Sequence, residues 1–494
     1  MVIPIAIYYL FAPFTVVLIG LLADSVKKPR IRDVYAVLVS GLGIVTVLEL
    51  YYNLKASANQ ILVVSIGGKP PLGACLEIDM MGVYMAFSAV LLGFFATVYS
   101  YNYMEHDTRL TEYYTLLSSL VVGMMGVAFA GDLLTLFIFW EMMGITSYSL
   151  VSFRKGSPGP IEAGFKYMVM GSIGSTVLFM GVAFLYGITG TVNLAQMSTA
   201  IHGHPINIWY YIVLVMMIIG LGVKSAIVPL HTWLPDAHPE APSPISAMLS
   251  GMLIETALYA LTRIMFVIFE PKVFSVTIAG LSVITMGLAN LTALFQRDIK
   301  RMLAYSSIAQ IGYMLIGVSA GSVLGAQGLM LHIFNHSLMK GLAFLSAGNI
   351  VHITHNRNID ELRGVGRAMP LTSLTLFISF LGLTGVPGTG GYISKVLLFY
   401  SAMGAGYWWL TILGVLNSAL SVGYYLPAMY KLVGKTEKKI NGVKEPPFLM
   451  LLVCVVMAVL ILWTGVFPAT SIGYAEIASK ALIEGLKNYV GVIM

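Results

Sequence analysis

The chain has 494 residues, of which 58% are hydrophobic and only 10% charged, and its formal net charge is +6 at pH 7. A water-soluble domain carries about 25% charged residues, so this composition excludes a soluble globular protein and makes lipid the solvent for most of the chain. Two cysteines, Cys75 and Cys454, stand far apart, which argues against an iron–sulfur cluster, a structural zinc or a disulfide framework.

A spanning helix needs about 20 mostly apolar residues. That rule predicts roughly fourteen spans, near 2–22, 33–52, 79–101, 112–130, 133–152, 163–187, 209–233, 244–268, 273–295, 301–320, 325–350, 371–400, 407–430 and 448–467. No basic stretch precedes the first, so it reads as a retained span rather than a cleaved signal peptide. After the last span, an amphipathic stretch from Ile472 to Tyr489 is expected on the outer surface. No GxGxxG or P-loop occurs in a strand-turn-helix setting. No cofactor is expected on this chain, and any redox or nucleotide chemistry that drives it belongs to another polypeptide.

Basic residues follow the predicted topology. Nineteen of the 28 Lys and Arg fall on one side, in groups such as Lys27 to Arg32, Arg154 and Lys155, Arg297 to Arg301, Arg357 to Arg367 and Lys431 to Lys444. Six fall on the other side, namely Lys55, Lys69, Arg263, Lys272, Lys480 and Lys487. By the positive-inside rule the basic loops face the cytoplasm and both termini face outward. The positive charge is a topology signal, and nucleic acid is not an expected partner.

Two apolar segments are interrupted by Gly and Pro. One runs from Gly220 to Pro229 and contains Lys224. The other runs from Gly382 through Pro387 to Gly391 and is followed by Lys395. They lie five predicted spans apart. An odd spacing inverts a repeat in the membrane, the arrangement by which transporters build a midplane site from discontinuous helices.

The informative side chains lie deep in apolar segments: Glu141, Lys224, Glu255, Lys340 and Lys395. His332 and His336 precede Lys340 at four-residue intervals, which puts all three on one helix face. An ion at the bilayer centre costs at least about 2.5–3.5 kcal/mol, so such residues are usually paired and functional. The three intramembrane bases are lysines, and a lysine can exchange its proton where an arginine cannot. Blander readings exist for each. A lysine near a helix end can snorkel, the glutamates can serve structural ion pairs, and the histidines can be packing residues. His332 and His336 have no third ligand on their helix, and the His231–Glu240 loop is proline-shaped, so no metal site is expected.

At these residues the chain resembles the antiporter-like subunits shared by respiratory complex I, Mrp-type sodium/proton antiporters and membrane-bound [NiFe] hydrogenases. The matching stretches are Gly131–Gly144, Lys224–Pro244, Asp298–Tyr313, His332–Lys340 and Gly385–Lys395. The resemblance implies an all-α integral membrane protein of about fourteen helices. Inverted five-helix repeats are expected at helices 4–8 and 9–13, with helices 7 and 12 broken at Pro229 and Pro387. The corresponding divisions are 1–110, 111–270, 271–435 and 436–494. It implies that Glu141 and Lys224 form an ion pair, that Lys340 with His332 and His336 forms a central relay, and that Lys395 leads to the far-side exit.

It also implies a multi-pass subunit of a prokaryotic cell membrane, working with other membrane subunits of an Mrp, hydrogenase or complex I-like assembly to move H⁺ or Na⁺. Lysine at position 395 resembles the Mrp D-type and hydrogenase subunits, although some complex I subunits share it. One departure stands out: many relatives carry a lysine or histidine near the position of Glu255. A glutamate there could hold Lys224 protonated or favour Na⁺. A long C-terminal lateral helix is not expected. The competing readings are a stand-alone carrier, which should show a polar substrate pocket, and a structural subunit with an inactive relay.

Overall fold

A computed structural model describes residues 5–57, 60–68, 73–202, 207–435 and 442–493. Lys69, Lys438 and Lys439 lie outside the described residues, as do positions 2–4 of the first expected span. Among the described residues, ten helices are long and apolar enough to cross a membrane, and three apolar helices are shorter. The chain is a mostly helical, multi-pass membrane protein.

The N-terminal part comprises α1 (Ile5–Tyr9), α2 (Ala12–Ser25) and α3 (Pro29–Ala56). An antiparallel hairpin of β1 (Ile61–Ile66) and β2 (Ala74–Asp79) follows, where the sequence reading expected only a loop in an all-α protein. Ile61, Val63, Val64 and Ile78 are β-branched, the type that favours a pleated surface. Gly67 and Gly68 leave the first strand with positive φ, which glycine adopts without steric cost. The run is too short to register as a span, and the pairing therefore went unseen.

Next come α4 (Met80–Tyr103), α5 (Leu110–Phe129), α6 (Leu133–Val151), α7 (Pro158–Thr189) and the short α8 (Leu194–His202). Asp79 and Asp132 start α4 and α6 by accepting from the backbone N–H of Gly82 and Thr135, each at 2.7 Å. α9 (Ile208–Lys224) stops at Lys224; turns carry the chain past Pro229 to α10 (Leu234–Glu240). α11 (Ser243–Met248), a π-helical turn over Leu249–Leu253 and α12 (Ile254–Ile268) then form one rod.

The remainder comprises α13 (Pro271–Ala293), α14 (Ile299–Ser319), α15 (Val323–Thr354), α16 (Val365–Ala368), α17 (Pro370–Thr384), α18 (Gly390–Gly404), α19 (Trp408–Val433), α20 (Phe448–Val466) and α21 (Pro468–Ile493). α17 ends at Gly385, whose φ of +83° is left-handed, and the chain restarts as α18 just beyond Pro387.

Burial sorts these helices. The rod ending in α12 and α14 are each 94% buried over their apolar windows, against 28% for α3 and α19. α15 touches α4, α11, α14, α17, α18, α20 and α21, which makes it the central axis. α21 is longer than the expected amphipathic stretch and is not merely superficial. It packs on α15, α4, α12, α8 and the hairpin, burying Ala475, Ala478, Leu482 and Tyr489.

Candidate functional site

α15 supplies the centre of the site because its four-residue spacing aims His332, His336 and Lys340 at its buried neighbours. All three are 0% exposed. His332 bonds through Nδ1 to Ser394 Oγ of α18 at 2.8 Å and through Nε2 to Gln310 Oε1 of α14 at 3.0 Å. Its ring lies 6.1 Å from that of His336. His336 Nδ1 is hydrogen-bonded to Glu255 Oε1 of α12. Lys340 Nζ donates to Ser306 Oγ, to the Leu303 carbonyl at 3.2 Å and to the Tyr425 hydroxyl at 3.3 Å.

The two outlying lysines sit at the helix breaks. Lys224, at the end of α9, donates to the Trp140 carbonyl at 2.8 Å, and its ammonium lies 4.2 Å from the centroid of the Trp140 ring. Lys395, in α18, donates to the carbonyls of Leu383 and Thr384 at 2.7 and 3.3 Å and to Ser418 Oγ at 2.9 Å. Its ammonium lies 4.5 Å from the Tyr313 ring centroid. The carbonyls that α17 leaves free at its C-terminus thus receive Lys395, as helix ends in general attract cations. Pro229 and Pro387 lie in the two breaks themselves.

The expected ion pair of Glu141 and Lys224 is not closed: no salt bridge joins them, and Lys224 is satisfied by a backbone carbonyl instead. Glu141 Oε1 is buried with no hydrogen-bond partner among the described residues. The carboxylate borders a shallow groove on α6 with Phe137, Ile138, Met142, Ile145 and Thr146, and Ile138 and Ile145 are exposed. Glu255 bonds to His336, so the expected coupling of Glu255 to Lys224 is not a direct contact. Its second oxygen, Oε2, and His336 Nε2 also lack partners among the described residues. Buried orphan atoms of this kind are sites where ordered water, an ion or a functional role supplies the missing partner.

Several participants were not legible as charges. Gln310, Ser306, Ser394, Ser418 and Tyr425 hold the relay residues but are common polar side chains with no distinctive spacing. Arg263, expected among the outer-side basic residues, is instead buried on α12 and paired with Glu77 and Asp79. Its signal was available, since Glu255, Tyr259 and Arg263 recur every four residues. Lys300, expected in a basic loop, is also buried and donates to the Ala241 carbonyl at 2.8 Å. His238, from the loop read as a shaped connection, is buried in α10 with its ring 4.6 Å from that of Phe344.

A lysine-and-glutamate row through the centre of a helical membrane protein, with two interrupted helices, defines the class. The family described as "NADH:quinone oxidoreductase/Mrp antiporter, TM" matches residues 130–421, and the chain belongs to it. Among relatives, F(420)H(2) dehydrogenase subunit N of Methanosarcina mazei is 33% identical over 427 residues, covering 82% of this chain and 84% of that protein. NADH-quinone oxidoreductase subunit N of Trichlorobacter lovleyi is 34% identical over 417 residues, with 82% and 84% covered. The structure is similar over the whole of both chains to one from the membrane-bound sulfane sulfur reductase, an archaeal respiratory membrane complex, with a TM-score of 0.90 and 27% identity. A chain of the Mrp complex from Dietzia sp. DQ12-45-1b shares the fold at a TM-score of 0.88 and 23% identity, with 99% of each chain covered.

Proposed function

We propose that this antiporter-like subunit moves protons along a hydrated row formed by Glu141, Lys224, Glu255, His336, His332, Lys340 and Lys395, within a multisubunit membrane complex. The observation that carries the reading is the row itself: seven ionisable side chains on five helices, of which all but Glu141 are buried and bonded to carbonyls, polar side chains or one another. Opening and closing of the Glu141–Lys224 pair changes how tightly Lys224 holds its proton and so drives the proton toward the central relay. Water must bridge the row, because groups on separate helices mostly exceed direct hydrogen-bond reach.

A correspondence between two stretches of the chain supports reading it as an inverted repeat. Asp132 starts α6 and pairs by a single β-bridge with Asn193 beyond α7; Asp298 starts α14 and pairs in the same way with Asn358 beyond α15. α7 and α15 each have 32 residues. We therefore read residues 111–270 and 271–435 as the two five-helix units, preceded by a three-helix segment to residue 110 and followed by a final span and α21. Fourteen spans follow if α9 with α10, and α17 with α18, each count as one broken helix. Both termini then lie on the outer side, opposite the basic loops, in a prokaryotic cell membrane.

Other membrane subunits are the partners this surface fits. A carboxylate at mid-membrane depth is costly against lipid, and Glu141 stands at the rim of an exposed apolar groove that a neighbouring helix would cover. The names of the relatives favour a complex driven by electron transfer. The likeness to the Mrp chain supports a second reading, Na⁺/H⁺ exchange without electron transfer.

The test is Lys224→Ala in the assembled complex reconstituted into proteoliposomes with a pH-sensitive dye. Proton translocation should be lost while the subunits still co-purify. Normal translocation in that variant would overturn the mechanism.

A further inference from the structure

Along α12, Glu255, Tyr259 and Arg263 stack on one face and cover about 12 Å of helix axis. At one end Glu255 meets His336 and keeps Oε2 without a partner among the described residues. At the other end, the outer end in the topology above, Arg263 gathers four oxygen atoms. Its Nη1 donates to the Tyr259 hydroxyl at 2.6 Å and to Asp79 Oδ1 at 3.3 Å. Its Nη2 lies 2.8 Å from Glu77 Oε2 and 3.2 Å from Asp79 Oδ2. The Tyr259 hydroxyl in turn donates to the Ala128 carbonyl at 2.8 Å.

Both carboxylates come from β2 and are 5% exposed, as is the arginine. Two carboxylates facing one guanidinium leave one negative charge in a buried site, which calls for a proton or a cation. Among the described residues no group of three or more His, Cys, Asp or Glu is arranged to hold a metal ion. Asp79 is already committed, because its Oδ1 caps α4. Glu77 is the freer group. Burial raises its carboxyl to about 7 against the opposing pull of Arg263, with Asp79 adding to the rise. Among the described residues, the other titratable groups around it are Tyr259 on α12, Cys75 on β2 and Tyr489 on α21. A cavity of about 10 Å³, room for about one water, lies against Glu77, Asp79, Arg263 and Tyr489.

We propose that Glu77 is the outer-side proton-exchange group of the chain, supplied from Glu255 along the Tyr259–Arg263 face of α12. The inference rests on the proton-translocating reading above and adds an outward branch at the centre of the row. A proton leaves the Glu255 carboxyl for ordered water beside the Tyr259 hydroxyl and is taken up by the Glu77 carboxylate. Glu77 then releases it to water on the hairpin side. Arg263 keeps its charge throughout, because a guanidinium does not deprotonate in proteins; it is a positioning residue that holds Glu77 and Tyr259 in line.

The experiment compares Glu77→Gln, Glu77→Asp and Lys224→Ala in the assembled complex, reconstituted with a pH-sensitive dye. Glu77→Gln keeps an acceptor for Arg263 but cannot ionise, and translocation should fall by about tenfold or more. Glu77→Asp restores an ionisable carboxyl and should recover part of the rate. Normal translocation in Glu77→Gln, with loss in Lys224→Ala, overturns this inference and leaves the proposed function standing. Normal translocation in both overturns both. If Glu77→Gln does not assemble, Tyr259→Phe carries the test, since it leaves both carboxylates and Arg263 in place. A slowed rate in it supports the branch, and an unchanged rate overturns it.

Discussion

His336 on α15 and Glu255 on α12 are bonded side chain to side chain, Nδ1 to Oε1, with both side chains 0% exposed. The pair ties the central helix to the neighbouring rod. Glu255→Gln keeps the hydrogen-bonding capacity and removes the charge. Translocation should fall by about a hundredfold if the carboxyl hands on protons, with assembly intact. Glu255→Lys puts an amine against His336 and should change the relative dependence of transport on Na⁺ and H⁺. Initial rates measured with and without Na⁺ check this, and an unchanged dependence would show that the glutamate has no part in ion choice.

Glu141 presents the opposite situation, a buried oxygen with no partner to lose. Glu141→Ala leaves no orphaned group behind, so thermal stability of the complex should stay within about 0.5 kcal/mol of the parent. Translocation should nevertheless be abolished. Stability falling by several kcal/mol, measured by thermal unfolding in detergent, would mark Glu141 as a structural ion-pair partner instead.

Arg263 holds two buried carboxylates and a tyrosine hydroxyl. Removing one member of a buried ion cluster typically costs about 3–5 kcal/mol, because the remaining charges stay buried without compensation. Arg263→Ala should therefore lower the thermal midpoint strongly. Arg263→Lys, which keeps the charge and loses the planar fork, should fall between it and the parent. A melt of Arg263→Ala that matches the parent would mean the cluster contributes nothing to the fold.

Tyr489 fastens α21 to the rest of the chain. Its hydroxyl donates to the Gly131 carbonyl at 2.9 Å, accepts from Asn193 Nδ2 at 2.7 Å and lies 3.3 Å from Cys75 Sγ. Tyr489→Phe strips these contacts and leaves buried polar groups unpaired, at a cost of about 1–3 kcal/mol. The Cys75 thiol is 0% exposed in the parent. Its labelling by a maleimide, followed by mass spectrometry, should accelerate in the variant; unchanged labelling would show that the latch is dispensable.

The amino-acid sequence alone determined the membrane setting, the places where α9 and α17 stop, and the stacking of His332, His336 and Lys340. Each of these follows from properties local in the chain: apolar length, the conformational demands of Gly and Pro, and the 3.6-residue period of a helix. The same locality made the row of charged residues visible before any contact was known. Partners were another matter. Glu255 meets His336 rather than Lys224, Lys224 meets the Trp140 carbonyl rather than Glu141, and Arg263 is buried because a hairpin some 180 residues earlier brings Glu77 and Asp79 against it. Which side chains touch across separate helices depends on each helix's rotation, tilt and depth, and these are set by packing across the whole bundle, which no local period encodes.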